Sequence, residues 1–368
     1  MLRIVALLLI VCFVCTGCTI GGPKSRLGSL PFPAALSLWD AADPSDLGEH
    51  IHEAGTFEGL AESSRGTVYT CKAGFVDVAH LRESADWTKF AYDEVLDALR
   101  QGKGYATFED HYRAEYRIAL TVPAVWSRYS ADARRSEEER AARVAAQRIA
   151  YLAMTWHEVA TWFGERIIPF IPEDRSSFTY DDTIAHIIGV RLGGEALGMV
   201  ARKEAPDFDQ AMTIALNREM TRLGALSTEE TYDAALAVEG RWWKGEDCTK
   251  RQLATGLDEG FMTPWIINGF EPCPAAVAEK QKLAWEDRGT LRSLNLILGS
   301  VEMRSESYAE TLGLVPGHVT RGPAGESDTL PTVSADGWVF ANDFMRRSVD
   351  VLRVSMREKF GEHFDSPE

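Results

Sequence analysis

The stretch MTWHEVATWFG at 154–164 places two ionisable residues, His157 and Glu158, in a segment that is otherwise apolar on nearly every side. Apolar residues recur there at spacings of three and four, the period of a helix that packs against a core. A second apolar face lies roughly opposite the first, and Glu158 falls on it. A buried carboxylate must take a proton, meet a cation or bind a metal. The sequence therefore predicts a candidate site on this helix.

The pair His157 and Glu158 begins like the zinc-peptidase motif H-E-x-x-H, in which two histidines bind zinc and the glutamate is the general base. Thr161 stands where the second histidine would be. This helix alone therefore does not predict a zinc peptidase. The structural alternative is a buried His and Glu that are hydrogen-bonded to neighbours or paired with an arginine.

A second acid and imidazole pair, Asp77 and His80, lies three residues apart at the start of a predicted helix. At that spacing both side chains share one edge of the helix and can supply two metal ligands. The alternative is that Asp77 only caps the first turn after Gly74, where the helix dipole favours a carboxylate.

A third pair, Asp182 and His186, lies four residues apart, a spacing that points both side chains the same way and suits a shared metal. Thr179 and Asp182 also match a capping box, which would occupy the carboxylate with backbone amides. Both interpretations of Asp182 stay open at this point.

Three helices that each bring an acid and a histidine favour a shared metal site, because the chain has only eight histidines and helical cores often assemble such sites. We predict a zinc centre with Glu158 as the general base. Its predicted ligands are His80, His157, Asp77 and Asp182. His50 and His52, at strand spacing, are spare candidates that we expect in a surface loop.

The N-terminus has the pattern of a secretion signal, with Arg3 before the apolar run 4–14. The residues Thr-Gly-Cys at 16–18 resemble the end of a bacterial lipobox, in which the signal is cleaved before the cysteine and Cys18 carries the lipid. Thr19, rather than Asp, then resembles sorting to the outer membrane, facing the periplasm. The alternative is plain secretion with cleavage elsewhere.

Three parts of the chain follow from this pattern: a lipoprotein signal peptide at 1–17, a Gly- and Pro-rich flexible tether at 18–33, and a single domain at 34–368. Cleavage removes only one charge, Arg3, so the formal net charge of −16 becomes −17. Such a charge excludes nucleic acid and anionic lipid headgroups as favourable partners. We therefore expect the protein to meet the membrane through its lipid.

The domain is predicted to be mainly α, a helical globular body with a few short strands. Residues 67–71 are β-prone. Predicted helices span 78–99, 136–164 and 341–360, with others that start near 179, 206 and 227 and end at Gly193, Gly224 and Gly240. Three segments stay ambiguous: 108–129, 249–256 as a possible short helix, and 291–303 as a strand pair or a helix.

Export makes disulfides possible. Cys248 and Cys273 both lie in loop-like contexts, GEDCTK and FEPCP, so we predict that they pair. Cys71 is then expected to be a buried thiol in a strand.

Four segments resemble the bacterial lipoprotein family known as domain-of-unknown-function family 4056. They are CKAGFVDVAHLRESADWT at 71–88, WHEVATWFG at 156–164, SSFTYDDTIAHIIG at 176–189 and GLDEGFMTPWII at 256–267. The resemblance implies no particular reaction. In similar sequences the third segment tends to carry Asn in place of His186, which favours His80, His157 and Glu158 as the essential residues.

Two functional hypotheses follow. The first is a metal-dependent hydrolase of the cell envelope with a buried His, Glu and Asp site. The second is a non-catalytic outer-membrane lipoprotein that binds an envelope partner, its polar clusters being structural networks. Neither a Gly-rich phosphate loop nor a G-x-S-x-G elbow occurs in the sequence to suggest another chemistry.

Overall fold

The computed structural model describes most of the chain beyond the N-terminal region: residues 22–23, 26, 41–52, 66–165, 174–245, 247–273, 275, 277–283, 298–314 and 332–368. The predicted signal peptide and Cys18 lie outside these residues. The structure is 46% helical and 14% strand. The helical prediction is therefore confirmed in part, because several small sheets accompany the helices.

Six α-helices occur in the described residues. They are α1 (Val78–Arg100), α2 (Ala131–Trp162), α3 (Asp182–Ala201), α4 (Phe208–Leu223), α5 (Thr228–Ala237) and α6 (Ala341–Phe360). Helix α1 packs against both α2 and α3, and α3 also packs against α4. The three helices α1, α2 and α3 thus form the centre of the hydrophobic core, and each carries one of the predicted acid and imidazole pairs.

Helix α3 continues through Gly193, where the sequence predicted its end. A β-carbon added at Gly189 would lie 2.0 Å from the carbonyl oxygen of Leu81 in α1. One added at Gly193 would lie 2.9 Å from Cβ of Thr88. These glycines therefore let the backbones of α1 and α3 approach closely, and the prediction of a helix end at Gly193 is wrong.

The strands form one sheet of four and three pairs, all antiparallel. Strands β3 (Tyr105–Glu109), β4 (Ala114–Leu120), β9 (Leu298–Ser305) and β10 (Val339–Phe340) make the larger sheet, in the order β10-β9-β4-β3. The pairs are β1 (Thr67–Thr70) with β2 (Gly74–Asp77), β5 (Trp243–Lys244) with β6 (Asp247–Cys248), and β7 (Phe261–Met262) with β8 (Gln281–Lys282). The ambiguous segment 108–129 is thus largely a hairpin, and 249–256 contains no helix.

Helix α2 begins earlier than predicted. Ser130 is its N-cap, and the Ser130 hydroxyl accepts a hydrogen bond from the amide of Ala133 at 3.2 Å. The predicted capping box at Ser136 therefore lies inside the helix rather than at its start.

The disulfide joins Cys71 to Cys273, with the two Cα atoms 5.4 Å apart, and Cys248 is a buried free thiol. The predicted pair of Cys248 and Cys273 is therefore wrong. Cys71 follows strand β1 in a turn, where it meets a loop that is 202 residues away in sequence. The Cys248 thiol instead points at the carbonyl oxygens of Lys250 and Trp242, at 3.4 and 3.7 Å.

Helix α3 is the one helix in the described part of the chain that is long and apolar enough, by length and composition, to cross a membrane. Most of its apolar window, 78%, is buried inside the protein. Its apolar character therefore matches its place in the core.

Candidate metal centre

Asp77 and His80 meet where strand β2 runs directly into helix α1. The Asp77 carboxylate is the N-cap of α1, and its Oδ1 accepts hydrogen bonds from the amides of Ala79 and His80 at 2.7 and 3.0 Å. The same oxygen lies 3.4 Å from Nδ1 of His80. The cap that the sequence offered as an alternative is therefore present, and it holds the carboxylate beside the imidazole.

Asp182 reaches the same imidazole from the start of α3. Its Oδ1 lies 3.4 Å from Nδ1 of His80, and its Oδ2 accepts a hydrogen bond from the Thr179 hydroxyl at 2.6 Å. The predicted capping box is not formed, because Thr179 bonds to the Asp182 side chain and the N-cap residue is Asp181, which makes no capping bond. Asp182 is therefore turned towards His80.

Helix α2 brings His157 and Glu158 to the other side of His80. The hydroxyl of Tyr112 lies 2.7 Å from Nδ1 of His157, while Nε2 of His157 lies 3.9 Å from Oε1 of Glu158. The second carboxylate oxygen, Oε2, accepts a hydrogen bond from the amide of Phe178 at 2.6 Å. Each side chain is thus held on one side, and its other atom faces the cluster.

His186 also belongs to this cluster. Its Nε2 lies 3.4 Å from Oε1 of Glu158, and its ring centroid lies 5.5 Å from that of His80. The resemblance favoured the other residues over His186. The four-residue spacing from Asp182 was the signal that could have kept it among the candidates.

Three buried polar atoms of the cluster have no hydrogen bond among the described residues. Nδ1 of His80 faces Asp77 and Asp182, while Oε1 of Glu158 and Nε2 of His186 face each other. Buried polar atoms are rarely left in this state. In a tetrahedral zinc site with bonds of about 2.0–2.1 Å, neighbouring ligand atoms lie about 3.3 Å apart. The separations of 3.4 Å around His80 and Glu158 match that spacing.

Two sets of three residues in this cluster could each hold one ion, since one ligand atom of each residue lies within 4.8 Å of the others, and His50, His52 and Asp86 form a third such set elsewhere. The first set is His80, His157 and Glu158, and the second is Asp77, His80 and Asp182. His80 is common to both. The structure therefore brings together all five residues that the sequence assigned to the metal site.

Burial and charge shift the acid–base behaviour of the cluster strongly. Burial raises the pKa of Glu158 to about 7 and that of Asp181 to about 6. Burial lowers the pKa of His157 to about 3. Burial would also lower the pKa of His80, but the charges of Asp182 and Asp77 raise it well above its usual value. His80 is therefore the positive partner of Asp77 and Asp182, and burial still keeps the pKa of Glu158 raised beside it.

No lysine or arginine of the described chain forms an ion pair with Glu158, Asp181 or Asp182. A divalent cation held by His80 would replace the proton on that imidazole with a larger positive charge and would let these carboxylates stay ionised.

The spare candidates His50 and His52 form a different kind of cluster around Asp86. Oδ1 of Asp86 lies 3.1 Å from Nε2 of His50 and 3.0 Å from Nδ1 of His52. The guanidinium of Arg26 pairs with Oδ2 of Asp86 at 2.7 Å. Because an arginine already neutralises this carboxylate, the cluster has far less need of a metal than the one around His80.

Two side chains of the cluster reach solvent. The side chain of His80 is 10% exposed and that of His157 is 9% exposed, whereas Glu158 and His186 are at most 2% exposed. The edges of the His80 and His157 rings therefore mark the side of the cluster nearest to water.

Sequence reasoning missed Tyr112 and the residue that holds it. Asp110, in the turn between β3 and β4, accepts hydrogen bonds from the amides of Tyr112 and Ala114, both at 2.9 Å. Its Oδ2 accepts the hydroxyl of Tyr116 at 2.7 Å. This buried turn fixes Tyr112 against His157, and nothing local in the sequence indicates that contact.

The fold and the site together define a mixed, largely helical protein with a buried histidine and carboxylate cluster that could hold a metal ion. The chain belongs to the family described as protein of unknown function DUF4056, whose model matches residues 14–252. That range contains every residue of the cluster, from Asp77 to His186. Neither the comparison with curated proteins nor the comparison with solved structures found a match.

Proposed function

We propose that this protein is a metal-dependent hydrolase of the cell envelope, with zinc as the ion. The observation that carries the proposal is that His80, His157 and Glu158 are buried and each offers one ligand atom within 4.8 Å of the others, with Oε1 of Glu158 left without a hydrogen bond among the described residues. The proposed ligands are His80, His157 and Glu158. Two histidines and one glutamate are a ligand set of catalytic zinc, which leaves a fourth position for water.

The surrounding residues fit this assignment. The Tyr112 hydroxyl contacts Nδ1 of His157 at 2.7 Å, which leaves Nε2 of His157 to face the ion. In zinc sites a neighbouring group commonly holds the second ring nitrogen of a ligand histidine in this way. Asp77 and Asp182 face Nδ1 of His80 in the same way. A zinc-bound water has a pKa near 7, so these residues would hold a nucleophile at neutral pH.

This proposal gives Glu158 the role of a ligand instead of the general base that the sequence suggested. Its Oε1 has no hydrogen bond among the described residues and belongs to the set that can hold one ion. The ion, when bound, would acidify a coordinated water, and His186, whose pKa burial lowers well below its usual value, would stay neutral beside Glu158.

The proposed setting is the periplasmic face of the outer membrane. The lipobox-like residues 16–18 and Thr19 support it, because they match an acylated Cys18 that is sorted to that membrane. The substrate would then be an envelope component.

The alternative function, a non-catalytic lipoprotein that binds an envelope partner, is favoured by one observation. The ligands are at most 10% exposed, which is typical of a closed structural centre. In that case the ion would stabilise the fold, and no substrate would reach it.

A substrate panel separates the two functions. Zinc-loaded protein is incubated with chromogenic esters, phosphoesters and peptides, before and after removal of the metal by a chelator. We expect hydrolysis of at least one substrate class that is lost with the metal, restored by zinc and abolished in Glu158→Gln. Glu138→Gln is the matched control, because Glu138 lies buried on the same helix with its own partner, Arg134, at 2.8 Å. Bound zinc without any hydrolysis would favour the structural alternative.

A further inference from the structure

Arg26 lies inside the stretch that the sequence predicted as a flexible tether, yet its side chain is only 6% exposed. Its Nε donates to Asp86 at 2.7 Å, and one NH₂ group donates to the carbonyl of Ile51 at 2.6 Å. Its backbone amide donates to Glu83 at 2.9 Å. A buried arginine with three such partners is held firmly, because leaving its carboxylate partners unpaired would be costly.

Two further residues of the same stretch contact the body. A β-carbon added at Gly22 would lie 2.5 Å from the Trp87 ring, so the backbone passes directly over that ring. The carbonyl of Pro23 accepts a hydrogen bond from Nε2 of His111. Every described residue between 18 and 33 therefore contacts the domain, which does not fit a tether that is free along its whole length.

These contacts lie beside the metal centre. Glu83, Asp86 and Trp87 are on α1, the helix of His80, about 5 to 10 Å along its axis. His111 directly precedes Tyr112, the partner of His157. Gly22, Pro23 and Arg26 therefore lie against the helix that carries His80 and against the turn that carries Tyr112.

Only four peptide units separate Cys18 from Gly22, and an extended chain of that length spans at most about 14 Å. A tether that was free from 18 to 33 would let the folded body lie up to about 50 Å from the lipid. The contacts of Gly22 therefore shorten this distance to about a third.

We propose that the contacts of Gly22, Pro23 and Arg26 make the lipid link a short leash, which holds the face around His80, Trp87 and His111 against the headgroup surface of the bilayer. The centre would then act on a group presented at the level of the lipid headgroups. The inference rests on the proposed lipid on Cys18 but not on the presence of a metal. The negative net charge favours a zwitterionic lipid surface over an anionic one.

Fluorescence energy transfer to the membrane tests this orientation. The full acylated chain is placed in phosphatidylcholine vesicles that contain a trace of lipid with an acceptor dye on its headgroup. A donor is attached at Asp93→Cys, an exposed site on α1 six residues after Trp87, or at Glu229→Cys, on α5. We expect clearly stronger transfer from position 93 than from position 229.

Two changes should weaken that transfer. A Gly-Ser spacer of twenty residues inserted after Thr19 adds about 25 Å of reach and should lower transfer from position 93 at least about twofold. The double variant Gly22→Val and Arg26→Ala should act in the same direction by releasing the stretch. Arg135→Ala, an exposed arginine on α2, is the control and should change nothing.

Equal transfer from both donor positions, or transfer that neither the spacer nor the double variant changes, would overturn the leash. So would a protein that incorporates no labelled fatty acid at Cys18. A protein that shows the expected transfer but binds no metal would support the leash and contradict only the proposed enzymatic function.

Discussion

Oε1 of Glu158 and Nε2 of His186 lie 3.4 Å apart in the protein interior, and neither atom has a hydrogen bond within the described chain. Glu158 comes from α2 and His186 from α3, so this contact exists only because the two helices pack together. Buried polar atoms are rarely left without a partner, and an ion bound by Glu158 would supply one for this carboxylate.

Tyr112 should set the affinity for zinc without binding it. Tyr112→Phe removes the hydroxyl that contacts Nδ1 of His157, and loss of such an outer partner typically weakens metal binding about 10- to 100-fold. Zinc competition against a chromogenic chelator measures the effect. Tyr105→Phe, at a position 59% exposed, should leave the affinity unchanged. Equal affinities of both variants would show that Tyr112 does not orient a ligand.

Asp110 should make the apoprotein less stable as the pH rises. Burial raises its pKa from 3.8 to about 7, so between these values the folded protein keeps a proton that the unfolded chain releases. The Asp110→Asn variant has no such proton. The free energy of unfolding of Asp110→Asn, relative to that of the native protein, should rise by about 1.4 kcal/mol per pH unit between pH 4 and 7. Above pH 7 the difference should level off. Urea unfolding across this range measures it, and an advantage that is independent of pH would contradict the shifted pKa.

Gly189 should be intolerant of any side chain. In Gly189→Ala the new methyl group would lie 2.0 Å from the carbonyl oxygen of Leu81, which can be relieved only by moving α1 and α3 apart. Overpacking that forces the backbone to shift destabilises a protein by about 1–3 kcal/mol, and a 2.0 Å approach to a carbonyl oxygen places Gly189→Ala at the upper end of that range. Gly104→Ala is the control, because no atom lies within 4 Å of its added β-carbon. Thermal unfolding of the two variants compares them, and equal stabilities would refute the close helix contact.

The link between Cys71 and Cys273 should hold two distant parts of the chain together. Loss of the bond in Cys71→Ala should lower the free energy of unfolding by about 2 to 5 kcal/mol. Reducing agent should destabilise the native protein similarly and leave the variant unaffected. A non-reducing peptide map should show the peptides of Cys71 and Cys273 linked to each other. Cys248 should react with alkylating agents only after unfolding. A map that shows Cys248 linked to either of the other two cysteines would disprove the assignment.

Elements with local signals were predictable from the sequence. Helix α1 was expected at 78–99 and spans Val78–Arg100, because its apolar period lies between two local signals, the Asp77 cap and Gly102. The closing helix was expected at 341–360 and occupies the same residues. The capping residue and the period of three and four both act within a single helix, so one sequence suffices to find them.

Features that depend on distant contacts were not predictable in this way. A glycine such as Gly193 is typical of a helix end, and its actual role, close packing against Thr88, depends on another helix that the local sequence does not reveal. Cys71 gave no local hint of Cys273, 202 residues away. The candidate site was predictable in part. Residue spacing indicated each acid and imidazole pair, but only the packing of the helices shows that the pairs meet and that Tyr112 contacts them.

The metal content of the purified protein, measured by native mass spectrometry, tests the central claim most directly. The account predicts one zinc ion per chain, lost in His80→Ala and retained in His363→Ala, which removes an exposed histidine outside the cluster. Native protein that carries no ion and takes up none when zinc is added would contradict it.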